Sequence, residues 1–418
     1  MENKSVGLLV NSKLPSPAMA GYYYIQTIFT MKYLLLFFSI ISIYACDQAS
    51  SQKSNKPEAL TDGMMISIME NKDTLILTTK TDSLNQQFTT EEIKPYKKQL
   101  VTDSTLLTAT TLKQVPYLSL PEGTPTTYKN ISNVRIENLQ FTNKSGNNLV
   151  FKNCTNITIR NCYFGSSLLE AISIEGGNNI TIENNLFANN ESGVYALETK
   201  GGIVIKNNQF VNTKGPIPRG QYIQLNACTG AGNIIENNKG ESWPGESNPE
   251  DLISLFKSKG TAESPILVRN NIFRGGGPSS SGGGIMTGDT DGGHVIVENN
   301  VLVDPGQYGI AAAGGNNIII RNNKVFGRSQ HFSNVGIYVW AQAGVSCSDI
   351  EISNNHINYT KGDEGTPEKN HFFNGKNCGT ITGLESNRFT LTLAELKMPE
   401  HLIDFVTPSE LQNIRRKK

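Results

Sequence analysis

NITIENNLFANNESGVYALETKGGIVIKNNQF, residues 179–210, decides the fold, because its end repeats its beginning. NITIENNLF (179–187) and GIVIKNNQF (202–210) share one frame: apolar residues at alternate positions, then a pair of asparagines, then a short run ending in Phe. Alternation of this kind marks a strand with one buried face. The paired asparagines suit a sharp corner, since Asn tolerates the left-handed backbone region and its amide bonds nearby main chain. The frame recurs in both directions, at NVRIENLQF (133–141), NITIRNCYF (156–164), GNIIENNKG (232–240), PILVRNNIF (265–273), HVIVENNVL (294–302), NIIIRNNKV (317–325) and DIEISNNHI (349–357). A weaker copy is TGLESNRF (382–389). The repeat accounts for the composition: of 45 asparagines, all but five stand at or after Asn130.

Spacing converts the repeat into an architecture. The first corner residues stand at 138, 161, 184, 207, 237, 270, 299, 322, 354 and 386, in steps of 23, 23, 23, 30, 33, 29, 23, 32 and 32. A turn of about 23 residues that stacks like on like gives a parallel β-helix. Leucine-rich repeats run near the same length, but their Leu-x-x-Leu-x-Leu frame is absent, and propeller blades need about 40 residues. The expectation is therefore an all-β, right-handed, single-stranded parallel β-helix of about ten turns over 129–390. Residues 61–128 would form a lead-in and amino-terminal cap, and 391–418 a short, partly helical carboxyl-terminal cap, because a solenoid must cover its end strands.

Residues ahead of the repeat read as an export signal. Met31-Lys32 precedes an apolar run, Tyr33 to Ala45, that ends in a small residue directly before Cys46. A positive start, a short greasy stretch and a small residue before the cut describe a signal peptide over 31–45. The run is too short for a membrane span of about 20 residues. A Cys at that point resembles a bacterial lipobox, which makes Cys46 the lipidated first residue of an outer-membrane lipoprotein held by its lipid alone. Residues 1–30 would then lie outside the mature protein, and the polar segment 46–60 would be a tether. Cys154, Cys162, Cys228, Cys347 and Cys378 form no CxxC pair, which argues against zinc or thioredoxin chemistry. Cys347 and Cys378 each stand just before a repeat and could stack in neighbouring turns as a disulfide or as two buried thiols. Lys+Arg and Asp+Glu both number 37, so no basic excess points to nucleic acid.

The longer turns carry extra residues after the corner, at 212–219, 241–250, 274–283, 327–334 and 359–371. Stacked corners would project these loops on one side as a wall beside a groove, where binding sites usually lie. A second strand follows each loop. With Ile223, Ile253, Ile285, Ile310 and Ile337 facing inward, Gln224, Ser254, Met286, Ala311 and Tyr338 face outward. Asn226, Phe256, Gly288, Ala313 and Trp340 form the next outward rank. Small residues between aromatic walls suit flat sugar rings, which makes Gln224, Phe256, His331, Tyr338 and Trp340 candidate substrate contacts.

ArgGlyGlnTyrIleGlnLeu (219–225), AsnProGluAspLeuIleSerLeuPheLysSer (248–258), ArgGlyGlyGlyProSerSerSerGlyGlyGlyIleMet (274–286) and AspProGlyGlnTyrGlyIle (304–310) resemble the alginate lyases of parallel β-helix type and their lipoprotein relatives. The likeness covers about a third of the chain. It implies β-elimination on a uronic-acid-containing, alginate-like polymer, with a Lys acting as base from a strand, here Lys257. One branch of those lyases adds an Arg in the next turn; here that turn reads GlyGlyIleMetThrGlyAsp. Elimination needs a partner for the carboxylate, a base for the C5 proton and an acid for the leaving O4. Arg219, Lys257 and Tyr222 are the respective candidates. Asp289 beside Lys257 would favour the protonated amine. Glu250, Asp251, Asp289 and Asp291 keep a hydrolase open and could make an oxygen site for calcium, although no calcium-loop motif or other cofactor signature is present. An epimerase would share proton abstraction, and a surface glycan binder would need only the aromatic groove. The expected partner is an acidic polysaccharide, the expected state a monomer.

Overall fold

The computed structural model describes residues 66–71, 74–79, 117–215, 220–342, 344–362 and 367–404, all within one compact unit, Met64–Lys418. Residues 1–30, the signal segment 31–45, Cys46, the tether 46–60, most of 61–128, Arg219 and the part of the carboxyl-terminal cap after 404 lie outside the described residues.

Each turn of the chain gives one strand to each of three sheets. The first sheet takes the strand before the Asn-Asn pair, such as Asn178–Glu183, Ile203–Lys206 and Ile266–Arg269. The second takes the short strand after it, such as Leu186–Ala188 and Gln209–Val211. The third takes the strand beyond the loop: Ile223–Asn226, Ile253–Phe256, Ile285–Thr287, Tyr308–Ala312 and Val335–Val339. Equivalent strands pair in parallel through nine complete turns and a partial tenth among the described residues, the parallel β-helix that the spacing predicts. Ile66–Asn71 and Thr74–Thr79 form an antiparallel pair, and the second of them extends the first sheet alongside Ser132–Glu137. At the other end the helix among the described residues is a single turn, Leu393–Leu396, closed by a capping box between Thr392 and Glu395.

The interior is built of columns. Ile157, Ile180 and Ile203 stack in register on the first sheet, and Ile223, Ile253, Ile285, Ile310 and Ile337 on the third, all fully buried. β-Branched residues suit a pleated surface. Phe141, Phe164, Phe187 and Phe210 stack face to face at 5.3, 4.9 and 4.8 Å, close to the roughly 4.8 Å between paired strands.

The two asparagines of each corner do different work. The first, at 138, 161, 184, 207, 237, 270, 299, 322 and 354, holds φ between 53° and 58°. The second is buried and forms a continuous ladder from Asn185 through Asn208, Asn238, Asn271, Asn300, Asn323 and Asn355 to Asn387. Asn271 shows the pattern. Its Oδ1 accepts from the backbone and the amide of Asn238, and its Nδ2 donates to Ile235 O and Asn300 Oδ1, at 2.9–3.1 Å. All four hydrogen bonds that an amide can make are made inside the protein.

The outer face of the second sheet is covered. Tyr163, Leu186, Ala188, Val211 and Trp243 pack with Tyr117 and Leu120 from the lead-in and with Ile403 from the carboxyl-terminal arm. Arg274 donates to Pro399 O and Glu400 O, Leu402 N donates to Glu241, and Asp404 bonds Gln209 and pairs with Lys239. Cys347 and Cys378 occupy equivalent places in successive turns and are joined as a disulfide.

Asn271→Ala leaves a buried carbonyl and two buried amide groups without partners, and should cost about 3 kcal/mol at roughly 1–3 kcal/mol per orphaned group, less what relaxation recovers. Asn270→Gly keeps the left-handed corner and should cost under about 1 kcal/mol. Guanidinium denaturation midpoints of the two variants check this; equal losses would contradict the division of labour.

Candidate functional site

The described parts of the first four loops lie between the second and third sheets and form a wall, whereas 359–371 begins on a second-sheet strand and folds back on it, with Glu368–Lys369 antiparallel to Thr360–Lys361. Phe332 packs against Gly277, Gln307 donates to Ser280 O, and Arg328 pairs with Asp304. Beside this wall is the outer face of the third sheet. The register is the expected one: Gln224 stands next to Ser254, Ser254 to Met286, Met286 to Ala311 and Ala311 to Tyr338. The expected open floor is not found. Ala311 and Ala313 are fully buried, packed in one apolar cluster with Met286, Tyr308, Val335 and Tyr338. Gln224 is 8% exposed and Tyr338 7%; Trp340, at 47%, stands out of the surface with Phe373 of the next turn beside it.

Tyr222 must be corrected outright. Its side chain is in the core, 0% exposed, with its hydroxyl 2.7 Å from Ser242 Oγ. The strand begins only at Ile223, so alternation does not govern Tyr222. The cause lies in the aromatic column. Gly240 occupies the place between Phe210 and Phe273, and the ring of Tyr222 fills the hole, stacked on Phe210 at 5.1 Å. A Cβ on Gly240 would come within 2.3 Å of that ring. Desolvation holds the phenol above its usual range. Such a group cannot reach a polymer outside.

Lys257 is exposed at the far edge of the same sheet, away from the loops. Its φ is 53°, a conformation shared by Asn153, Glu198 and Ala227 at equivalent corners, so the geometry belongs to the fold. Its Nζ lies 5.1 Å from the centroid of the Phe256 ring, and its backbone N donates to Asp289 O at 2.9 Å. Burial raises the Asp289 carboxyl, while Thr290 and the Lys257 charge hold it down. One turn back, Asn226 pairs with Phe256 and donates to the hydroxyl of Tyr195 at 2.9 Å. Lys257, Phe256, Asp289, Asn226 and Tyr195 therefore share one edge. Tyr338 and Trp340 stand three turns further along, about 14 Å at one strand spacing per turn. His331 is exposed on the loop wall, edge-on to Phe332. Tyr195 escaped the sequence reading, although it is the counterpart of Gln224 one turn earlier.

A second group of titratable side chains lies under the wall. Asp251 accepts from the Tyr308 hydroxyl and from Gly283 N, and Tyr308 meets Tyr338 edge-on at 5.2 Å. Desolvation pushes Asp251 up from 3.8 to about 7, with the nearby charges of Glu250 and Asp289 adding to it. The oxygen set considered for calcium is otherwise engaged: Asp291 pairs with Lys259 and Glu250 accepts from Ser281. Among the described residues no cluster of three His, Cys, Asp or Glu side chains could hold a metal ion.

The Asp251 value lies above that of an unfolded carboxyl, so between about pH 4 and pH 7 the folded chain holds a proton that the unfolded chain has lost. Stability should fall as pH rises through that window. Asp251→Asn keeps the acceptor for Tyr308 and Gly283 and cannot ionise. Its melting temperature should match wild type near pH 4 and exceed it, by a few degrees, above pH 7. Parallel curves would refute the assignment.

A family model described as a right handed beta helix region matches residues 127–301. No curated protein matches the chain. Among solved structures, a complex of the alginate lyase AlyF-OU02 aligns with 62% of this chain at 15% identity and a TM-score of 0.29; the chain spans 58% of the length of that structure. Fold and family model agree on the right-handed parallel β-helix.

Proposed function

We propose that the protein acts on an acidic, alginate-like polysaccharide and cleaves it by β-elimination on the outer face of the third sheet, with Lys257 as the base that takes the C5 proton. The observation that carries this reading is an exposed amine at the end of a rigid strand, over the Phe256 ring and beside Asp289 of the next turn. Rigid placement of a base supports proton abstraction. The Asp289 charge beside Lys257 favours the ammonium, the form that can oppose the uronate carboxylate but cannot itself take the C5 proton, so it counts against Lys257 as the base. Tyr222 lies inside the core and cannot be the acid; Tyr195, on the outer face but only 4% exposed, is the candidate that replaces it, its hydroxyl bonded to Asn226. A second reading, hydrolysis, draws on the raised Asp251 carboxyl with Glu250 and Asp289 near it, although Asp251 is itself buried and bonded to Tyr308 and Gly283.

Lys257→Ala should lower turnover about 10²–10⁴-fold with polymer binding kept, as expected for loss of a general base. Tyr195→Phe should be comparably slow, whereas Tyr222→Phe should leave turnover unchanged. Incubation with alginate, pectate and glucuronan separates the readings. Elimination yields new reducing ends together with ultraviolet absorbance from the C4–C5 double bond; hydrolysis yields reducing ends alone; a binder yields neither.

We further propose export as an outer-membrane lipoprotein. The Cys347–Cys378 disulfide supports an oxidising compartment. No helix among the described residues is long and apolar enough to cross a membrane. Cys46→Ala should release the protein from the detergent phase; unchanged partitioning would sink the lipid anchor.

A further inference from the structure

One column of the first sheet is charged in eight successive turns, with its sign alternating at each, and ends at Ser353 in the turn after Arg321. The residue directly before the asparagine corner is Glu137, Arg160, Glu183, Lys206, Glu236, Arg269, Glu298 and Arg321 in eight successive turns, each in register with the next. Ion pairs close between Arg160 and Glu137 at 2.6 Å, Lys206 and Glu183 at 3.3 Å, Arg269 and Glu236 at 2.8 Å, and Arg321 and Glu298 at 2.7 Å. The side chains are partly exposed, and pairs of that kind add little stability each. Stability alone is therefore a poor reason for strict alternation.

The rest of the turn explains what alternation can do. The asparagine ladder and the aliphatic columns present nearly the same surface at every turn. A solenoid grows by adding each turn to its neighbour. A turn that loops out lets the following one dock on the wrong neighbour, with Asn again on Asn and Ile on Ile. The entropy of closing a longer loop rises only slowly with its length, so it discriminates weakly. The charged column does discriminate. With one turn skipped, Glu meets Glu and Arg or Lys meets Arg, and like charges directly opposite are destabilising.

We propose that this alternating column is a register code, which keeps a turn from being skipped as the β-helix assembles. The test compares three forms of the full chain refolded from guanidinium. One is wild type. In the second all eight residues are Gln. In the third every sign is exchanged, with Glu137, Glu183, Glu236 and Glu298 changed to Arg and Arg160, Lys206, Arg269 and Arg321 changed to Glu. Native yield is read as the fraction resistant to protease, because a looped-out turn is open to cleavage. The exchanged form should recover like wild type, and the Gln form at least threefold less, with cleavage inside a turn. Refolding in about 1 M salt, where screening acts within about 3 Å, should lower wild type toward the Gln form and leave the Gln form unaffected. Equal yields of all three forms overturn the proposal. So does an exchanged form that misfolds like the Gln form, or a Gln yield fully accounted for by a lower denaturation midpoint of its folded fraction.

Discussion

A buried amide that finds all its partners in the turns above and below is the constraint on which this structure rests. An unsatisfied amide in an apolar interior costs a few kcal/mol, so the asparagine ladder tolerates neither a gap nor a change of spacing along its length. Each rung holds three turns at once: Asn208 accepts from Asn185, donates to Ile182 O and donates to Asn238. The strand spacing, the corner and the stacking of Phe on Phe follow from it. The ladder also has to end. At its upper end Asn387 turns its amide to Ile352 O and to Gly383 O and Leu384 O of its own turn. At its lower end Asn185 accepts from Cys162 N, where a thiol replaces the amide.

The three outer faces have separate roles. That of the first sheet carries the charged column. The second is covered by the lead-in and the carboxyl-terminal arm. The third has small residues, a packed Met286–Tyr338 lid over Ala311 and an exposed amine at its edge. Its polarity is uneven, with Lys257 at one edge and the Asp251–Tyr308 pair beneath the loops at the other.

Much of this structure is legible in the sequence, and what is not has physical causes. The Asn-Asn spacing predicts the strands, their register and the inward columns, because a period-two pattern and a sharp corner leave one arrangement. The Cys347 and Cys378 positions suggest their pairing for the same reason. Tyr222 was misread because its orientation depends on a vacancy 18 residues later, at Gly240, visible only when the aromatic column is compared turn by turn. Exposure on the outer face was misjudged for Met286 and Tyr338, since side chains from adjacent turns lie across Ala311. The partnership of Asp251 and Tyr308 joins residues 57 positions apart through a loop, and no periodicity reports it.

The carboxyl-terminal arm sets a schedule. Contacts between turns join residues some 23 to 36 positions apart, so the solenoid can form as fast as its chain is made. The contact of Asp404 with Gln209 spans 195 positions. Until Ile403 emerges, the apolar strip of Leu186, Val211 and Trp243 lacks that part of its cover. For a chain synthesised from its amino terminus, the half-made protein thus displays a mark of incompleteness that the finished one conceals.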